Sequence, residues 1–397
     1  MAGFITGWLN VRLKIMDLLA SILMMIALHS VNLRIMGRPN VPLITEPTIF
    51  TVLQPDWMPD YVLRPALLAI VVVVAKLGLD GFFSSQLGLA MRATDANPRM
   101  ARAQGIATGR TTLAGMALLN ALVALAGALF AQTQGGAAIS MGIGTIVIGL
   151  AAVIIGETLL PARRLVLTTL AGSNGAGKSI FLNAVSGDQP VDAGRIAIDG
   201  ADVTRKAAWD RAHLVARVFQ DPMAGTCEAL TIEENMALAT ARGVRRGFRA
   251  ALDRPSRELF RDKLRLLNLG LENRLTDRIG LLSGGQRQAV SLLMASPRPS
   301  RILLLDEHTA ALDPKTAAFV LKLTARIVAE SKLTTMMVTH SMRQALDYGD
   351  RTVMLHQGQV VLDVSGDARK GLDVPDLLQM FEKVRHEQLD DDALLLG

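Results

Sequence analysis

The residues with the clearest chemical potential lie together in Gly172-Ser173-Asn174-Gly175-Ala176-Gly177-Lys178-Ser179. Their spacing is G-x-x-x-x-G-K-S. Gly172, Asn174, Gly175, Ala176 and Gly177 are small enough for successive backbone N–H groups to turn inward around a phosphate. Lys178 is spaced to reach the β- and γ-phosphates of a nucleotide, and the Ser179 hydroxyl to take one position on Mg²⁺. A helix opening near Ser179 aims its positive end at the same anion. Further along, Leu282-Ser283-Gly284-Gly285-Gln286 places a hydroxyl and paired glycines at a helix start, where Ser283, Gly284, Gly285 and Gln286 offer donors to phosphate. The apolar run 302–305 ends in Asp306-Glu307, a pair suited to holding Mg²⁺ and orienting water. Asp313 follows closely. Gln220 closes the apolar run 214–219, and Thr339-His340 closes 335–338. The first spacing is uncommon by chance, whereas Ser-Gly-Gly, an apolar run ending in Asp-Glu and a lone His are each weak. Taken in chain order, the phosphate loop, Gln220, Leu282–Gln286, Asp306-Glu307 and His340 leave little room for coincidence.

These groups need a scaffold of strands and helices. A phosphate loop of this kind sits between a buried strand and a helix. Residues 165–170 run directly into the loop, and they can serve as that strand or begin a further membrane helix, but not both. Residues 180–186 fit the helix that follows. The runs 195–199 and 214–219 read as short strands. Thr231 with Glu234 forms a capping box for a helix through about Ala241. The charge-rich stretch 245–265 reads as a solvated, partly helical arm interrupted at Pro255. The expectation is an α/β P-loop nucleotide-binding fold over residues 165–397.

Residues 1–164 are different in kind. The chain of 397 residues is 50% hydrophobic and 20% charged, with aromatics at only 4%. Leu, Ile, Val, Ala and Met concentrate before residue 164. Arg12 and Lys14 precede an apolar run at 15–33, and further runs cover 62–83, 113–131 and 143–160. We read four membrane spans, with Arg163 and Arg164 stopping the last inside. Residues 39–60 form an outer loop with four prolines, and 132–142 a short outer turn. Lys76 and Asp80 share one helix face and can pair. The loop 88–106 and its flank carry Arg92, Arg99, Arg102 and Arg110 against Asp95, which places it in the cytoplasm. Both termini, and the phosphate loop, then lie on the cytoplasmic side. A cleaved leader is disfavoured, because it would export the nucleotide site.

The net charge of +6 lies mostly beside the apolar runs and sets orientation, and no basic run with interleaved aromatics points to nucleic acid. The single cysteine, Cys227, excludes an intrachain disulfide and suits a reducing compartment. It reads as a small buried residue.

Two resemblances follow from these residues. Gly88–Ile106 resembles the cytoplasmic coupling segment of branched-chain-amino-acid-type ABC importer permeases, and 20–36 and 142–157 are similar to the same group. The chain begins inside that pattern and breaks off in its last span, near 164–170. The order P-loop, Gln220, Leu-Ser-Gly-Gly-Gln, Asp306-Glu307, His340 resembles the ATPase subunit of ABC transporters. The resemblance implies that Ser179, Gln220 and Asp306 organise Mg²⁺. It implies Glu307 as general base, with His340 at the γ-phosphate. Ser283 and Gly285 would act on nucleotide held by a second ATP-binding domain, and Asp313 would communicate across that dimer. His308 stands where most relatives have Pro, and little effect is expected of it. The family's strands before the P-loop, and the aromatic residue that stacks on adenine, have no counterpart here.

The reading is therefore an inner-membrane, multi-pass ABC importer component with a cytoplasmic ATPase domain. Its cofactors are ATP and Mg²⁺. Its cargo is amino acids or related small solutes, and its partners are a second ATP-binding domain, permease subunits and an external solute-binding protein. Two alternatives stay open: a membrane-tethered nucleotide-binding module, and a defective fusion of neighbouring genes that transports nothing.

Overall fold

A computed structural model describes residues 2–13, 17–43, 46–54, 59–138, 178–310, 312–331, 333–339, 341–356, 359–369, 371–377 and 379–380. The longer helices are α1 (Ala2–Leu13), α2 (Asp17–Met36), α3 (Asp60–Ser84), α4 (Gln86–Ala96), α5 (Pro98–Ala103), α6 (Thr108–Thr133), α7 (Lys178–Ser186), α8 (Ile232–Thr240), α9 (Arg254–Arg265), α10 (Gly284–Ala295), α11 (Pro314–Ser331) and α12 (Met342–Tyr348). The strands are β1 (Asn40–Pro42), β2 (Gly136–Ala138), β3 (Ala197–Ile198), β4 (Ala201–Asp202), β5 (Val215–Val218), β6 (Ile302–Asp306), β7 (Thr334–Val338), β8 (Arg351–His356) and β9 (Gln359–Ser365). The chain divides into two compact units, residues 1–82 with 109–171, and residues 83–108 with 172–397. The boundary expected at 164/165 and the candidate strand 165–170 lie outside the described residues.

In the first unit, α3 and α6 contain stretches long and apolar enough to cross a membrane, Val62–Ser84 and Thr108–Thr133. Ile22–Met36 within α2 is a shorter apolar helix, and the expected run 143–160 lies outside the described residues. Side chains such as Val72 and Leu119 are exposed, as suits a lipid-facing surface. Helix α1 packs on α6 through small residues. A methyl group at Gly3 would overlap the Met116 carbonyl, and one at Gly7 would stand 3.1 Å from Leu113 Cδ2. Close backbone approach of this kind is how helices associate without a hydrophobic drive. The chain after α2 pairs with the chain after α6 in the antiparallel ladder β1–β2, Val41 opposite Ala137. Lys76 and Asp80 pair at 2.5 Å, as their spacing predicts.

The second unit has the parallel sheet β5-β6-β7 at its centre. Val218 pairs with Leu305, and Leu305 with Met337, so the three strands end at one edge. Leu303, Leu304 and Leu305 are fully buried, because a strand covered on both faces needs continuous apolar sequence. Helix α7 covers Lys178–Ser186, the stretch that the sequence assigns to the helix after the phosphate loop. The Thr231–Glu234 capping box forms as expected. The stretch 245–265 departs from its expectation. Pro255 stands in the first turn of α9 rather than interrupting it, since a first-turn proline loses no helical hydrogen bond. Phe260 and Leu264 of that helix are fully buried, and Arg246 donates to the carbonyls of Gln104 and Gly105. The antiparallel hairpin β8–β9 was not anticipated from the motifs.

The Arg-rich segment folds into this same unit. Ser85 caps α4, and Asn97 caps α5 ahead of its first-turn proline. Leu89, Ala93, Met100, Ala101 and Ile106 enter one core with Cys227, Leu230 and Met236. The Asn97 amide faces the carbonyls of Met223, Ala224 and Thr226 at 2.9–3.1 Å. Arg92 pairs with Glu234 at 2.6 Å. Gly105 has φ +79 and lies against the Gly243 backbone, where a Cβ would meet Gly243 N at 2.8 Å.

Candidate functional site

The candidate site forms at the end of the sheet. Ser179 is the second residue of α7, and its Oγ lies 3.4 Å from Asp306 Oδ1 at the end of β6. The separation is at the long edge of a hydrogen bond. Asp306 is only 6% exposed, so its carboxylate needs partners. It finds one in Arg217 of β5, whose Nη2 donates to Oδ2 at 3.1 Å. One carboxylate oxygen thus belongs to a guanidinium and the other faces a hydroxyl.

Glu307 follows with φ +40, a conformation that costs a non-glycine residue energy and occurs at working sites. Its N–H donates to the Val338 carbonyl at 3.0 Å, so the chain turns sharply while still fastened to β7. Gln220 Nε2 donates to Glu307 Oε2 at 3.1 Å. Gln220, expected both among the catalytic residues and at the metal, is paired here with Glu307. A cleft of about 140 Å³ opens beside Glu307, lined also by Ala310, Val338, Thr339 and Gln344.

Ser283, Gly284, Gly285 and Gln286 start α10 as the sequence suggests. Ser283 Oγ accepts from Gln286 N at 3.3 Å, and Gln286 Oε1 accepts from Ser283 N at 3.2 Å, so both side chains cap the helix. Ser283 and Gly284 are exposed. A methyl at Gly285 would overlap Thr316, which explains the glycine by packing. Gln288 of α10 donates to the Phe219 carbonyl at 3.2 Å, tying this helix to the end of β5. Asp313 caps α11 through Thr316, whose hydrogen bonds hold its carboxyl below the usual range. Gly172–Gly177 and His340 lie outside the described residues. Of Lys178, the structure describes its place at the start of α7.

His308 behaves differently from its expectation. It is 2% exposed, and its Nε2 lies 3.0 Å from Thr324 Oγ1 of α11. That hydroxyl donates to the Val320 carbonyl, which leaves Nε2 to donate and fixes the neutral tautomer. Burial pushes the His308 pKa down to about 4. The side chain therefore anchors the Asp306-Glu307 turn to α11 rather than being inconsequential.

Cys227 is buried as expected, its thiol pushed up to about 12 by burial and then by the charge of Glu234. Arg217 was missed. A charged residue inside the apolar run 214–219 was the available signal.

The donor set fits Mg²⁺. Among the described residues no cluster of three or more His, Cys, Asp or Glu could hold a metal. A hydroxyl and a carboxylate beside a phosphate loop suit a hard ion that keeps phosphate and water among its ligands.

Comparison with known proteins finds relatives for both parts of the chain. The family model described as ABC transporter matches residues 162–310, and that of the branched-chain amino acid transport system permease component matches residues 1–176. The chain is 45% identical over 214 residues to the tyrosine transport ATP-binding protein of Clostridioides difficile (strain R20291), covering 54% of this chain and 85% of that protein. It is 36% identical over 194 residues to the thiamine import ATP-binding protein ThiQ of Jannaschia sp. (strain CCS1), covering 49% and 80%. A solved post-hydrolysis dimer of an ATP-binding cassette with ADP and Pi matches at 27% identity and TM-score 0.41, over 48% of this chain and 81% of that one. The chain belongs to the ABC transporter family. It joins an N-terminal permease-type segment to an ATP-binding, ATP-hydrolysing cassette.

Proposed function

We propose that the chain couples ATP hydrolysis to import of amino acids or related small solutes across the inner membrane. Support for the cargo class comes from the permease match and from the tyrosine transport relative. Gly172, Asn174, Gly175, Ala176, Gly177 and Lys178 hold the phosphates in this reading. Ser179 and Asp306 hold Mg²⁺, with Gln220 at its edge. Bound there, Mg²⁺ neutralises charge on the β- and γ-phosphate oxygens. Glu307 orients the attacking water and accepts its proton, and Gln220 keeps the carboxylate aimed. His340 meets the γ-phosphate. Ser283, Gly284, Gly285 and Gln286 at the head of α10, the first two of them exposed, serve nucleotide held by a second copy related by a two-fold axis, and Asp313 signals across that pair. Cassette closure pulls on segment 83–108, which is packed into the cassette core, and switches access through the membrane part. That part is read as multi-pass with the cassette in the cytoplasm, working with further permease subunits and an external solute-binding protein.

The observation that carries the proposal is the convergence of Ser179 with Asp306 and of Gln220 with Glu307 at one strand end. Its test is Mg²⁺-dependent phosphate release by the detergent-solubilised chain. Glu307→Gln should lower the rate at least a hundredfold while leaving nucleotide binding intact. Equal rates in the two proteins would remove Glu307 from the chemistry. Binding without turnover in the wild type would favour the tethered-module alternative.

A further inference from the structure

Arg217 is a buried cation shared between two carboxylates. Its side chain is 6% exposed. Nη2 donates to Asp306 Oδ2 at 3.1 Å, while Nη1 donates to Asp188 Oδ2 at 3.0 Å and to Ser186 Oγ at 3.2 Å. The guanidinium carbon lies 4.6 Å from the centre of the Phe219 ring, which holds the side chain in place. Asp188 has three further neighbours, one of them Arg211, whose guanidinium feels its charge. Ser186 Oγ donates to its Oδ2 at 3.1 Å, and Arg102 Nε stands 3.8 Å from its Oδ1.

A cation seated on the carboxylate that must bind a divalent ion opposes that ion, and burial keeps the opposition from being screened. Arg217 also occupies Oδ2, so the oxygen left for the metal is Oδ1, the one facing Ser179. Asp188 draws part of the same positive charge away from Asp306. We propose that Arg217 is a positioning residue that sets the divalent-metal affinity of the Ser179–Asp306 site, with Asp188 determining how much of its charge Asp306 feels. This rests on the reading that Ser179 and Asp306 hold the metal.

The experiment uses Mn²⁺ as probe. The full chain in detergent is saturated with a non-hydrolysable ATP analogue, and free Mn²⁺ is read by electron paramagnetic resonance. Asp188→Asn leaves the whole Arg217 charge on Asp306 and should weaken Mn²⁺ binding about tenfold. Arg217→Met combined with Asp188→Asn removes cation and counter-ion together and should tighten it about tenfold. Arg217→Lys keeps the charge and should stay within about threefold of wild type. A merely structural Arg217 would loosen the site in the double variant. Weaker or unchanged binding there, or tighter binding in Asp188→Asn, overturns the proposal. If the double variant does not fold, the sign of the Asp188→Asn shift decides alone. Asp306→Asn separates the two levels. If it fails to weaken Mn²⁺, the metal assignment itself is wrong. If it weakens Mn²⁺ while the Arg217 and Asp188 variants do not move, only the Arg217 inference falls.

Discussion

His308 makes the stability of the cassette depend on pH, and the size of the effect follows from its surroundings. The imidazole is buried, donates from Nε2 to Thr324, and has its pKa lowered from an ordinary 6.5 to about 4. Between those values the unfolded chain binds a proton that the folded chain does not. The neutral form's stabilisation is therefore complete above about pH 6.5 and is lost as pH falls toward 4. The slope is about 1.4 kcal/mol per pH unit, about 3 kcal/mol in total, with about 2 kcal/mol gone by pH 5. His308→Leu removes the titrating group. The Thr324 hydroxyl keeps its bond to Val320 in that variant, so no buried donor is stranded. The assay is urea unfolding followed by Trp209 fluorescence, with Trp8 and Trp57 replaced by Phe. From pH 7.5 to pH 5 the parent should lose about 2 kcal/mol more than His308→Leu. Equal losses would show that His308 is not buried neutral, and the anchoring of the Asp306-Glu307 turn to α11 would fall with it.

Three further outcomes are expected. Gly243 has φ +69, and a Cβ there would meet His213 Cβ at 2.7 Å, so Gly243→Ala should cost about 1–3 kcal/mol, read as a lower melting temperature of the cassette. Cys227 should resist maleimide labelling at pH 7–8 in the folded chain and label fully in denaturant, because burial raises its pKa to about 12; rapid native labelling would contradict its place in the core. Asn97→Ala should cost about 1–2 kcal/mol through loss of the α5 cap and should speed amide exchange in residues 98–106. Unchanged exchange would mean that the segment is held without it.

The helix starts were legible because each is written by one or two residues. Ser283 with Gly284 and Gly285 announces α10, and Thr231 and Glu234 announce α8 through a reciprocal cap that needs no tertiary partner. The strand pair β5 and β6 was legible because short, mostly apolar runs that end in polar residues read as buried strands. Other features depend on contacts distant in sequence. Arg217 looks like an intrusion in an apolar run until Asp188 and Asp306 are seen on either side of it. His308 appears incidental until Thr324 is found sixteen residues away on the facing helix. The Arg-rich segment reads as a charged loop, yet its small and apolar residues, Ala93, Met100 and Ala101 among them, bind it into the cassette core. Pro255 misled because a proline within a charged run reads as a break, whereas the Asp253 cap makes it a beginning. The hairpin β8–β9 carried no chemical motif to draw attention to its alternating residues.

The proposed function requires residues 172–179 to hold a nucleoside triphosphate. Binding of a fluorescent ATP analogue to the full chain, beside Lys178→Ala, tests it most directly. We predict that the lysine variant binds at least tenfold more weakly, since it loses a charge-assisted contact to phosphate. Equal binding by the two proteins would contradict the account.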